Sequence, residues 1–416
     1  MRVYYGWWIV AISMLVLMLA LGATMNAFGL FVLPVSEDFG LSRADVNTGI
    51  ILTNLGMAAV APIVGRMLDI YPTKRIMAVC AVLLAGSLII LGLSHSVLVS
   101  AFVLAIPLAL GIAGVGTLTS VSLVARWFEA QRGRAMAFTI MGMSFGTVVM
   151  APVVGAMIEA MGWRQSLIIL GVLLGIVFLA LVPLVRERPG PDDIEPRPRR
   201  AAAPAPAASF APQASVEPLS PLKLLRMPQF WTLAVGTALA MGALQTIMIS
   251  IVPLAQESGV PVTQSASLLS VLGGMGIVGK LILVWLGDKV DRTLALSLLF
   301  CVVAVMSAAL MFGDTYVTLL ACAAFLGLAA GATMPIFLAL LADRVGAASF
   351  GAANGTASFL MAVFGAISIR YGGEVYDRTG SYDLMFVSFI AIALLSGLLV
   401  FVSGRLVPAR PVSVPT

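Results

Sequence analysis

The chain has 416 residues, 60% of them hydrophobic and only 10% charged. A soluble domain carries roughly 25% charged residues, so this chain has too little polar surface for a water-soluble globule. Its formal charge of +5 says little about nucleic acid, and no basic patch interleaved with aromatics appears in the sequence. Cys80, Cys301 and Cys322 lie inside apolar runs, with no metal or disulfide spacing.

Twelve apolar segments follow in chain order: 6–34, 45–68, 76–95, 98–125, 135–158, 165–185, 229–253, 264–287, 294–312, 316–341, 349–370 and 384–404. A membrane helix needs about 20 apolar residues. Only backbone that satisfies itself can face lipid. The pattern therefore predicts an all-α membrane protein with twelve transmembrane helices in two pseudo-symmetric six-helix halves. The first segment follows a short N-terminus directly and reads as a membrane helix, not a cleaved signal.

The predicted organisation is an N-terminal half over 1–185, a linker over 186–219, a C-terminal half over 220–405 and a cytoplasmic tail over 406–416. The linker is rich in proline, alanine and arginine, which cannot build a core, and is expected to be disordered and cytoplasmic. Ser220 and Pro221 suit the start of a short surface helix reaching Met227. With both termini in the cytosol, 19 Lys and Arg fall inside and four outside: Arg43, Arg164, Arg370 and Arg378. That asymmetry supports the helix count and the orientation. The halves also repeat: GRMLDIYPTKR follows the second segment and WLGDKVDR follows the eighth. Such repeats suggest a transporter with its site near the midplane between them.

Gly65, Asp69, Lys74 and Arg75 in the first of those loops match the loop signature of the major facilitator superfamily, with Pro72 in place of a glycine. Within it, the chain resembles the monocarboxylate transporter and oxalate:formate antiporter group. That likeness is carried by GLFVLPVSEDFGLSRA, RWFEAQRGRAMA, MGWR and GEVYDRTGSYDLMF. The resemblance spans nearly the whole chain and implies a major facilitator fold, commonly monomeric, with helices 1, 4, 7 and 10 lining the cavity. There are departures. Pro107 stands where many proton-coupled sugar and drug carriers have arginine. Lys280 replaces the group's usual arginine in the eighth helix, and Gly276 stands where some animal carriers have aspartate. The eleventh helix, up to Ser368, has no charge, whereas the oxalate carrier has a second cation there.

Two motifs need another explanation. GGMGIVGKLILVWLGD, Gly273 to Asp288, contains both a dinucleotide fingerprint and a near P-loop. Either would need a strand before the turn and a helix after it. Here the glycines lie inside one apolar helix and are expected to serve helix packing. So are the G-x-x-x-G pairs Gly142 to Gly146, Gly327 to Gly331 and Gly351 to Gly355. GMSFG also fits a hydrolase nucleophile elbow, but the elbow needs a strand-to-helix turn and a histidine base. The single histidine, His95, falls at the outer end of the third segment. No enzymatic site, metal or cofactor is expected.

Lys280 remains. It lies about 12 Å from Asp288 along a helix, too far to snorkel fully. A cation near mid-membrane costs at least ~2.5–3.5 kcal/mol on insertion scales and usually faces a cavity or a partner. All nineteen Asp and Glu lie in loops, in the linker or at helix ends. The missing anion is therefore read as the substrate, a small carboxylate. The alternative is a lysine held by carbonyls and hydroxyls with no transport role. A buried lysine can give up its proton where an arginine stays charged. One proton is thus expected to travel with one anion.

Further cavity candidates are Thr24, Asn26, Phe28, Asn54, Thr119, Gln245, Asn354 and Phe359, each of which could equally bond or pack against a neighbouring helix. Asp69 and Asp288, with Lys74, Arg75, Arg134 and Arg292, are expected to gate the cytoplasmic face. The reading is a secondary transporter of a small monocarboxylate, with proton symport, in a bacterial inner membrane. Anion exchange and a non-cycling membrane sensor stay open as alternatives.

Overall fold

The structure, a computed structural model, describes residues 4–128, 131–187, 189, 193, 227–286, 290–312, 315–345 and 350–405. The linker beyond these, the expected surface helix before Met227, Asp288 and the tail lie outside the described residues. Among those described, twelve long helices form one bundle. They are α1 (Tyr5–Phe39), α2 (Arg43–Ile70), α3 (Thr73–Leu93), α4 (Val97–Trp127), α5 (132–161) and α6 (163–181) in the first half. The second half has α7 (Pro228–Glu257), α8 (Val262–Leu286), α9 (Arg292–Met311), α10 (Tyr316–Val345), α11 (Phe350–Thr379) and α12 (Asp383–Arg405). No strand occurs among the described residues.

Local chemistry explains the interruptions. Gly162 turns α5 into α6 at φ 79° and ψ 162°, a conformation open to glycine without a Cβ clash. Helix α1 carries a π turn over Gly22–Asn26, and α4 carries another over Leu104–Leu108 around Pro107. Such turns insert one residue and shift everything after them around the helix. Asp291 starts α9 by accepting from the backbone N–H groups of Thr293 and Leu294.

The packing repeats with a period of six helices. Contacts α1–α5, α2–α4 and α3–α6 recur as α7–α11, α8–α10 and α9–α12, and the halves join through α2–α11 and α5–α8. Glycines make the close contacts. A Cβ on Gly142 would stand 2.3 Å from the Met14 carbonyl oxygen, and one on Gly331 would stand 2.0 Å from that of Gly276. Gly279 meets Leu328, and Gly273 meets Thr147. The glycines of the nucleotide-like stretch therefore seat α8 against α10 and α5, within one continuous helix. Gly355 is different, because nothing lies within 4 Å of where its Cβ would be. The G-x-x-x-G pattern ending there makes no close contact through that residue. GMSFG likewise sits inside α5, and His95 is exposed beyond the end of α3.

Both termini of the bundle lie at one end, called here the terminus end. The loops α1–α2, α7–α8 and α11–α12 lie at the far end.

Candidate functional site

The seam between α5 and α8 joins the two halves. Its antiparallel register is set by small residues: Gly155 faces Ala266, and Thr147 faces Gly273. Two turns further along α8 comes Lys280. Side chains on a helix lean toward its N-terminus, so the lysine stem points back along the seam, away from the nearby terminus end. Its Nζ donates to Ser144 Oγ at 2.6 Å. Ser144 lies near the middle of α5, so the amine sits at mid-depth and bridges the halves. Lys280 is half-buried, and among the described residues no carboxylate forms an ion pair with it.

Ser144 adds something that sequence reasoning passed over. A helical serine or threonine commonly spends its proton on the carbonyl four residues back, as Thr139, Thr147 and Thr246 do here. No such donation is found for Ser144 among the described residues. It accepts from Lys280 and keeps an O–H to offer. The signal was present as a mid-segment hydroxyl in the fifth helix, but G-x-S-x-G drew it toward hydrolase chemistry.

Asn26 lies on the neighbouring face of α5. Its Nδ2 donates to Met143 O at 3.1 Å and to Thr147 Oγ1 at 2.7 Å. The π turn that ends at Asn26, and the bare contact of Gly22 with Gly146, bring α1 close enough for this. Lys280 and Asn26 thus converge on one stretch of α5, Met143 to Thr147, from two sides.

The other candidates lie elsewhere. Thr24 bonds back to Ala20 O and, with Phe28, lines a cavity of about 390 Å³ walled by α1, α2, α3, α4 and α6, with Arg370 of α11 also lining it. Thr119 is fully buried and bonds to Gly114 O within α4. Gln245 turns its Oε1 into the space beside Gly365 of α11. Asn54 on α2 and Asn354 on α11 are half-buried, and Phe359 is 67% exposed.

Of the expected gating residues, Lys74, Arg75, Arg134 and Arg292 are described and sit at the terminus end. Lys74 donates to Pro183 O at 3.2 Å, and Arg292 pairs with Asp343 at 2.9 Å. Arg134 lies over Trp7 and Phe138, and Arg75 is exposed. Asp69 closes the last turn of α2.

A twelve-helix membrane bundle of two repeated halves, with a cation bridging them at mid-depth, is the architecture of a carrier. The family model of the Major Facilitator Superfamily matches residues 12–369, and the chain belongs to that superfamily of membrane transporters. It is 22% identical over 398 residues to the uncharacterized MFS-type transporter YcxA of Bacillus subtilis, covering 94% of each chain. It is 29% identical over 294 residues to mouse monocarboxylate transporter 12, covering 64% of this chain and 59% of that one. Among solved structures, a bacterial homologue of the human lysosomal transporter Spinster, inward-facing and unoccupied, matches with a TM-score of 0.73. Its sequence identity is 15%, and 97% of each chain is covered. The protein is thus an integral membrane transporter with a small-molecule substrate.

Proposed function

We propose that the protein carries a small monocarboxylate by alternating access, with Lys280 as the group that binds the carboxylate. One observation carries this reading. A lysine amine lies at mid-depth between the halves against a single neutral hydroxyl, and no carboxylate pairs with it among the described residues. A buried charge without a counter-charge is costly, and an entering carboxylate supplies one. Ser144 then has a hydroxyl proton to give to the same anion. With one cation at this level, one carboxylate is favoured over two. Likeness to monocarboxylate transporter 12 supports the same substrate class.

The coupling follows from the amine. Lys280 takes up a proton as the anion arrives and releases both on the other side, so proton and anion move together without an acidic relay. The membrane is a bacterial inner membrane with both termini in the cytosol, which makes the far end the outer face. The expected segments 1–185 and 220–405 are the two rocking units. Asp69 and Asp288, with Lys74, Arg75, Arg134 and Arg292, close the terminus end when the far end opens.

The test is uptake into proteoliposomes after a pH jump, using labelled lactate, pyruvate, acetate and benzoate, with Lys280→Ala beside wild type. Uptake driven by an inward proton gradient and lost in the variant supports the proposal. Unchanged uptake by Lys280→Ala would sink it. Counterflow indifferent to the gradient would replace symport with exchange.

A further inference from the structure

Two stretches that carry the family likeness, GLFVLPVSEDFGLSRA and GEVYDRTGSYDLMF, take no part in the lysine site. They meet at the far end, across the junction of the halves. Arg43, the first residue of α2, is 7% exposed. Its guanidinium lies over the Tyr376 ring, with Cζ 3.6 Å from the centroid. It donates to the Tyr382 hydroxyl at 2.6 Å and pairs with Glu257, the last residue of α7. The same Glu257 oxygen accepts from the Tyr376 hydroxyl. Burial pushes the Tyr382 phenol up to about 12, so it remains a neutral hydroxyl.

The backbone is held as firmly. The N–H groups of Arg43 and Ala44 donate to the two carboxylate oxygens of Asp377, each at 2.9 Å. The first N–H groups of a helix have no partner within it. Ser42 serves one of them, that of Asp45, from the same chain segment. Asp377 serves two from α11, in the opposite half. Arg370, also on α11, donates to Ala44 O, Asp45 and Thr48 of α2. Beneath these groups, Val32, Val46, Ile50, Ile249 and Ile369 form an apolar plug drawn from α1, α2, α7 and α11.

We propose that this cluster is the outer gate of the transporter, a clasp that holds α2 against α7 and α11 and must release for the far mouth to open, with Asp377 as its central group. When α2 and α11 part, Arg43 and Ala44 lose the carboxylate that caps their helix. The capped α2 and the open far mouth therefore exclude one another. A negative charge at a helix N-terminus is stabilising, and its loss tilts the equilibrium toward the open far side. This gate acts whatever the substrate is, so it stands apart from the carboxylate reading.

The test measures water access at two depths in full-length protein in proteoliposomes. A Cys301→Ser background leaves Cys80 and Cys322, which are buried. Ile50→Cys reports from the plug and Phe359→Cys from the terminus half of α11, each read by its rate of alkylation with N-ethylmaleimide. Adding Asp377→Asn is expected to speed labelling at 50 at least about fivefold, the scale of losing a charged helix cap, and to slow it at 359. Glu257→Gln is expected to shift both rates the same way, and it carries the test if Asp377→Asn does not fold. Asp383→Asn, an exposed acid outside the clasp, is the control. Unaltered labelling at 50 would overturn the proposal. So would a rise at both positions, which would mark loosened packing instead of a gate.

Discussion

Among the cations that cross the junction between the halves, Arg43 and Lys280 are housed in opposite ways. Arg43 at the far end has a carboxylate, a phenol and an aromatic face, and its own backbone N–H caps onto Asp377. Lys280 at mid-depth has one neutral hydroxyl. Both groups sit away from bulk water, where the charged form is costly unless it is paired. Arg43 is compensated inside the protein, so its contacts hold one arrangement of the helices. Lys280 is only partly compensated, so it leaves room for an anion from outside. On the proposed reading, the satisfied cation serves conformation and the unsatisfied one serves binding.

The largest effect should come from the unsatisfied cation. Lys280→Ala is expected to lower carboxylate uptake at least about 30-fold, since a charged hydrogen-bond partner left unpaired costs about 2–5 kcal/mol or more and each 1.4 kcal/mol is tenfold. Initial rates in proteoliposomes measure this directly. Lys280→Arg should keep anion binding but lose the dependence of uptake on the proton gradient, because arginine does not deprotonate. Uptake that still follows the gradient would place the coupling proton elsewhere.

Ser144→Ala should be milder. It removes a hydrogen bond worth about 0.5–1.5 kcal/mol, so KM should rise by roughly two- to tenfold with the pH profile retained. Asn26→Ala should be smallest in transport. Its amide is already spent on Met143 and Thr147, so the cost should fall on stability, about 1 kcal/mol. A lower thermal midpoint with unchanged KM is the expected pair of readings. A large rise in KM would make Asn26 a substrate contact and blur the contrast between the two kinds of polar group.

The bundle was legible in the sequence because each membrane helix must be apolar over its whole span. The twelve segments, the packing glycines of α8 and the mid-helix position of Lys280 all stand out against that constraint. Apolarity does not say which residue faces which helix. Ser144 stands 136 positions from Lys280, and nothing local in either segment joins them. Thr24 lies within the π turn of α1 and Phe28 just after it, where the helical register shifts, and both line a cavity whose walls do not include Lys280. Thr119 follows the break at Gly116 and is sealed within its own half. Arg43 and Arg370 were countable as outer charges and informed orientation, but their partners arrive from helices far away in sequence. Pairings between distant helices are tertiary facts, and hydropathy carries no record of them.

The most direct measurement is equilibrium binding of a labelled monocarboxylate to the purified protein, wild type beside Lys280→Ala and Ser144→Ala, at constant pH without any gradient. The expected result is saturable binding by wild type, weaker binding by Ser144→Ala and none by Lys280→Ala at matched folded fraction. Saturable binding of equal strength in Lys280→Ala would contradict the claim that this amine holds the anion.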